Sequence, residues 1–188
     1  WATAAAAIPS SKITLEDVGL NPTRISFIDV LERTGARVKI SNLTEIGGEP
    51  RGSIQIQHGG NASIEIGAAE VPSLIDELPA LAALATHGGA LRVTGAEELR
   101  NKESDRITAL ANGLRGLGAT VEEWQDGFHV MGDHQLSGGT ADAAGDHRLA
   151  MAFAIAALGG KAPSEVHNSE AVDVSYPGFF DTLSSLSG

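Results

Sequence analysis

Two short runs concentrate the side chains able to do chemistry. Asn101-Lys102-Glu103-Ser104-Asp105-Arg106 opens a stretch that reads as a helix to about Leu117, and Asp146-His147-Arg148 directly precedes the apolar helix Leu149–Leu158. Asn101 is the expected N-cap of the first helix and Asp146 of the second. Lys102 and Arg106, four residues apart, are expected on one helix face. Cations at a helix N-terminus are disfavoured by roughly 0.3–1 kcal/mol each at an exposed site, and a bound anion relieves that penalty while accepting from free backbone N–H groups. Arg148 can grip a carboxylate or phosphate with two parallel hydrogen bonds. His147 can act as acid, base or donor near neutral pH. Plainer readings stand beside these: a solvated, mixed-charge helix start for the first run, and a capping Asp with a buried structural Arg–Asp pair for the second.

A third candidate is Asp76, which with Glu77 lies in the apolar run Val71-Pro-Ser-Leu-Ile-Asp-Glu-Leu-Pro79. A carboxylate there either caps the helix that begins near Pro79 or serves as a base with an altered pKa. Arg24, after Asn21-Pro22-Thr23, puts another cation in a first helical turn and could line the same region or simply face solvent. His58, His87, His129, His134 and His167 show no metal-ligand spacing. The Gly-Gly pairs lack the strand–loop–helix context of a nucleotide-binding loop. Neither a metal nor a cofactor is expected.

The elements that must position these groups recur. An Ala-rich helix followed by a strand occurs at Trp1–Ile8 and Lys12–Val18, at Pro79–Thr86 and Ala90–Thr94, and at Arg148–Leu158 and Pro163–His167. After the first two strands comes an amphipathic helix ending in Leu31–Val38 or Leu114–Val121, with Gly35 and Gly118 where a helix C-cap belongs. A strand pair follows each: Arg37–Ser41 with Ser53–Gln57, and Thr120–Trp124 with Phe128–Met131 through Asp126-Gly127. The third unit ends early, in a helix at about Pro177–Leu186. The unit therefore reads βαβαββ, present about two and a half times, in an α/β (α+β) fold. Alternation at Ile54/Ile56 and Ile64/Ile66 predicts sheets with one wet face, and the all-apolar helices are expected at the centre. Residues 1–188 are expected to form a single domain.

Composition narrows the function. The 188 residues carry a net charge of −11, which disfavours nucleic acid and anionic membranes as partners. No stretch approaches the roughly 20 apolar residues of a membrane span. There is no cysteine, so disulfides and thiol chemistry are excluded for this chain. The apolar start, without an initiator Met, suggests a chain that begins inside a longer protein.

Together these segments resemble the EPSP synthase family of enolpyruvyl transferases, over nearly the whole chain. The resemblance rests on Gly19-Leu-Asn-Pro-Thr-Arg24, Asp76-Glu-Leu-Pro79, Glu98-Leu-Arg-Asn-Lys-Glu-Ser-Asp-Arg106 and Asp146-His-Arg-Leu-Ala-Met151, the last two in order being the most specific. It implies two domains, each of three βαβαββ units, with the active site between them, this chain being the C-terminal domain and the facing N-terminal domain absent. The implied reaction transfers the enolpyruvyl group of phosphoenolpyruvate to the 5-hydroxyl of shikimate 3-phosphate, releasing phosphate, in cytoplasmic aromatic amino-acid biosynthesis. By position, Asp76 becomes the base at the 5-hydroxyl and Glu103 the acid/base at the methylene carbon. Lys102 lies near Asp76 and the shikimate, Arg106 and Arg148 hold phosphoenolpyruvate, and His147 assists. Asn101 stands where the family usually has Val. Val174 stands where some members carry Lys, which removes one phosphate contact. Alternatives are enolpyruvyl transfer to a UDP-sugar, and a non-catalytic scaffold of the same fold. The chain alone is expected to be inactive.

Overall fold

The computed structural model describes residues 1–187. Its middle third is the complete repeat: β4 (Ile64–Ile66), α3 (Val71–Leu74) with α4 (Leu78–Ala85), β5 (Gly89–Val93), α5 (Arg106–Gly116), β6 (Thr120–Trp124) and β7 (Gly127–Gly132). The strands form one sheet in the order β4-β5-β7-β6, with β4 parallel to β5 and the rest antiparallel. The first repeat supplies α1 (Ala2–Ala7), β1 (Lys12–Gly19), α2 (Ser26–Arg33), β2 (Arg37–Ile46) and β3 (Glu49–Gln57), in a sheet ordered β1-β3-β2. The third supplies β8 (Gly139–Asp142), α6 (His147–Ala157), β9 (Ser164–His167) and α7 (Phe179–Ser187), with β8 parallel to β9.

The expected strand pairings hold in register: Arg37 faces Gln57, Ser41 faces Ser53, and Thr120 faces Met131. The two glycine stops hold as well. Gly35 and Gly118 take φ of +101° and +98°. In each case the next N–H reaches back to close the helix, Ala36 to Leu31 O at 3.1 Å and Ala119 to Leu114 O at 2.9 Å. This six-to-one bond satisfies a terminal carbonyl, and glycine adopts the left-handed turn it needs at little steric cost.

The Ala-rich helices form the centre, as expected. Residues 4–7 of α1 are buried, α4 is buried at every position but Ala80, and α6 from Leu149 onward is buried except Met151 and Ala157. Small side chains let these helices approach one another, while Leu31, Ile56, Leu91, Phe128 and Phe153 fill the space out to the sheets. Phe153 sits directly against Gly113 of α5, where an added Cβ would fall 2.1 Å from the ring.

Two expectations near the site need correction. The helix of the first motif does not start at Asn101. Glu97–Asn101 is a 3₁₀ turn, Lys102 is extended, and α5 begins at Arg106 with Asp105 as its N-cap, accepting from Thr108 N at 3.1 Å. Asp105 outcompetes Asn101 because Arg100 holds it in place, donating to its carboxylate at 2.8 and 3.1 Å and to the carbonyls of Trp124 and Gln125. Lys102 and Arg106 consequently do not share a helix face.

Candidate functional site

The N-termini of α4, α5 and α6 meet at one end of the helical core, each preceded or opened by charged residues. Asp146 caps α6, its Oδ1 accepting from Arg148 N at 2.9 Å. Its Oδ2 accepts from Arg106 Nε at 2.6 Å and from Ser104 Oγ at 3.3 Å. Arg106 is 1% exposed and Asp146 0%, the only charged residues in the buried set among the described residues. The buried structural pair anticipated for Asp146 therefore exists, but its cation is Arg106 from α5 rather than the neighbouring Arg148. Burial would by itself raise the Asp146 pKa. The Arg106 hydrogen bond and charge, with backbone N–H groups of Arg148 and Leu149, outweigh it and hold the carboxyl below the usual range.

Arg106 spreads its remaining nitrogens over two more carboxylates. Nη2 bonds Glu103 and Nη1 lies 3.5 Å from Asp76 Oδ1. Asp76 does not cap α4. Arg148 reaches it from the other side, Nη2 to Oδ2 at 3.1 Å and Nη1 to the Asp76 carbonyl at 3.2 Å. Asp76 thus stands between two arginines from different helices, and the order across the site is Glu103, Arg106, Asp76, Arg148. Alternation of sign is what lets carboxylates crowd at the positive ends of helices without mutual repulsion.

The positioned groups differ in access. The Asp76 and Arg148 side chains are 25% and 32% exposed and Glu103 is 53% exposed, against 1% for Arg106. Asp76 and Arg148 line a cavity of about 190 Å³ together with Glu77, Met151, Trp1 and Phe179. Trp1 and Phe179 stack with ring centroids 5.0 Å apart, and Trp1 Nε1 donates to the Tyr176 hydroxyl at 3.0 Å, so the start of α7 closes one wall. Arg148 Nε is buried without a hydrogen-bond partner. An orphaned donor costs on the order of 1–3 kcal/mol, which favours an arrangement that would pair it.

Two sequence candidates lie apart from this array. Lys102 Nζ bonds Glu98 Oε1 at 2.9 Å rather than approaching Asp76. His147 opens α6 half-buried, its ring making no hydrogen bond or ion pair among the described residues. Two residues gain importance that spacing did not give them. Arg100 orders the α5 start, as described. Glu77 joins the cavity, and burial foremost, then the neighbouring Asp76 charge, raises its pKa despite opposing charges from Arg24 and Arg148. Arg24 Nη2 lies 3.6 Å from its carboxylate, so Arg24 does border the region. Among the described residues no group of three or more His, Asp or Glu is arranged to hold a metal, and no helix is long and apolar enough to cross a membrane.

The family model described as EPSP synthase (3-phosphoshikimate 1-carboxyvinyltransferase) matches residues 1–183. A protein named 3-phosphoshikimate 1-carboxyvinyltransferase from Parasynechococcus marenigrum is 41% identical over 99% of this chain and 42% of its own length. One of the same name from Shouchella clausii is 44% identical over 95% of this chain and 42% of its own length. The solved EPSP synthase of Acinetobacter baumannii superposes with a TM-score of 0.91 at 36% identity, covering 100% of this chain and 44% of that one. The chain spans under half the length of these relatives.

Proposed function

Since this chain belongs to the EPSP synthase family, we propose that it supplies one face of an enolpyruvyl-transfer site and that a second, facing domain supplies the other. The reaction assigned to the pair is transfer of the 1-carboxyvinyl group of phosphoenolpyruvate to the 5-hydroxyl of shikimate 3-phosphate, with release of phosphate, in the cytoplasm. The observation that carries this reading is the Asp76 carboxylate held between Arg106 and Arg148, with Glu103 on the far side of Arg106. Acid, base and anion-binding cations are thereby assembled within one hydrogen-bonded array.

Asp76 takes the proton of the attacking hydroxyl as its oxygen bonds to C2 of phosphoenolpyruvate. Glu103 delivers a proton to C3, giving a tetrahedral intermediate. The C2–O bond to phosphate then breaks, the departing phosphate takes up the proton held by Asp76, and Glu103 removes a proton from the new methyl group to restore the double bond. Arg148, the more exposed of the two arginines, turns its terminal nitrogens from Asp76 to the phosphoenolpyruvate anion. Arg106, already committed through each of its nitrogens, chiefly fixes the two carboxylates and contributes charge to the developing phosphate. Lys102 reaches shikimate only by leaving Glu98, and His147 lends a donor at the α6 entrance.

The test mixes this chain with a separately produced facing half and measures phosphate release from the two substrates. Release by the mixture, lost in D76A and E103A and negligible for the chain alone, is expected. Equal release by the chain alone would overturn the half-site reading. A mixture that uses a UDP-sugar in place of shikimate 3-phosphate would overturn the substrate assignment.

A further inference from the structure

Nine arginines are present, and Arg24 differs from the rest. Arg33, Arg37, Arg51, Arg100, Arg106, Arg115 and Arg148 each donate side-chain hydrogen bonds, and Arg92 lies over the Trp124 ring at 5.2 Å. Among the described residues the Arg24 guanidinium makes neither kind of contact. Its one ion-pair partner is Glu77 at 3.6 Å, and its side chain is 63% exposed.

Its backbone, in contrast, is held. Asn21 Oδ1 accepts from Thr23 N at 3.0 Å and from Thr23 Oγ1 at 2.8 Å, Arg24 N donates to Asn21 O at 2.8 Å, and Asn21 Nδ2 reaches Glu49 at 3.2 Å. A bonded turn thus presents a guanidinium whose donors are uncommitted. It is presented to Glu77, which follows Asp76 in sequence and shares a cavity with Arg148.

We infer that Arg24 is a third anion-binding arginine of the site, held loosely by Glu77 and transferred to the phosphate or carboxylate of an incoming anion. This rests on the anion-binding reading of Arg148 given above. The transfer is easy because the existing pair is too long for a hydrogen bond and too exposed to be strong, whereas a bidentate guanidinium–oxyanion contact is charge-assisted. Glu77 is suited to release it. Its pKa is already raised by burial, with Asp76 adding to the shift. Losing Arg24 raises it further, so anion binding draws a proton onto Glu77. The charged groups facing that carboxylate are Arg24, Asp76 and Arg148.

The experiment titrates the chain with phosphoenolpyruvate, and separately with inorganic phosphate, following arginine Nε–H and backbone NMR signals in R24A, R24K, E77Q and R148A, with spectra confirming that each variant is folded. Expected are about tenfold weaker binding in R24A, incomplete recovery in R24K because Lys lacks the planar fork, and tighter binding in E77Q with loss of coupled proton uptake. R24A binding like the unaltered chain while R148A is impaired overturns this inference and leaves the Arg148 reading intact. R148A binding normally overturns that reading instead. No binding of either anion by the unaltered chain overturns both.

Discussion

Arg106 Nε donates to Asp146 Oδ2 across 2.6 Å, joining the first turns of α5 and α6 with neither side chain in contact with solvent. Asp146 uses its other oxygen to cap α6. One carboxylate thus fixes the relative placement of two helices and the orientation of the arginine that holds Glu103 and Asp76. Removing it should cost far more than a surface cap. D146A is expected to destabilise the chain by about 3–5 kcal/mol, because it leaves the buried Arg106 Nε unpaired and removes the cap of α6. Urea unfolding followed by circular dichroism measures this, and a loss below about 1 kcal/mol would mean that Glu103 and Asp76 suffice to compensate Arg106.

The same pair sets an acid sensitivity. The Asp146 pKa is lowered in the fold, so its contribution is fully present above the unfolded value of about 3.9 and is lost as pH falls through the folded value. Thermal melts should fall steeply below about pH 4, and D146N should flatten that limb. A D146N profile parallel to the unaltered chain would assign the acid loss to other carboxylates.

His134 predicts a change of opposite sign. Its ring bonds the Gly118 carbonyl at 2.8 Å and Asp133 at 2.7 Å, and these contacts raise its pKa, the backbone bond foremost. The stabilisation is present below about pH 6.5 and fades as pH rises through the raised folded value. The melting temperature of H134Q should approach that of the unaltered chain at pH 8 and fall behind it at pH 6. NMR titration of the ring gives the pKa directly, and an unshifted or lowered value would contradict the geometry.

G113A sets helix propensity against packing. Alanine favours a helix interior by about 1 kcal/mol over glycine. Here the new Cβ meets the buried Phe153 ring at 2.1 Å, an overlap that an enclosed aromatic cannot relieve without moving α6. Overpacking of this kind costs about 1–3 kcal/mol, so net destabilisation is expected. A more stable G113A would show that α5 and α6 can part without penalty.

Lys102 offers a clean functional probe. Its bond to Glu98 involves a carboxylate 69% exposed, so K102A should change stability by less than about 0.5 kcal/mol. A large loss of turnover in the mixed halves would then report substrate contact, and equal turnover would remove Lys102 from the site.

The repeat, the buried Ala-rich helices, the glycine stops at Gly35 and Gly118 and the strand pairings were all legible in the amino-acid order, because periodicity, side-chain volume and positive φ are local properties. So was the family, through the two motifs containing Arg106 and Arg148. Where α5 starts emerged from packing, since Asp105 prevails over Asn101 through Arg100 and the β6–β7 turn, contacts that spacing does not encode. Packing likewise set the partners of the charges. Asp146 pairs with Arg106 forty residues away rather than with adjacent Arg148, and Arg148 crosses to Asp76. Charge pairing depends on distance and burial after three repeats have packed together, and a chain read in one dimension carries neither.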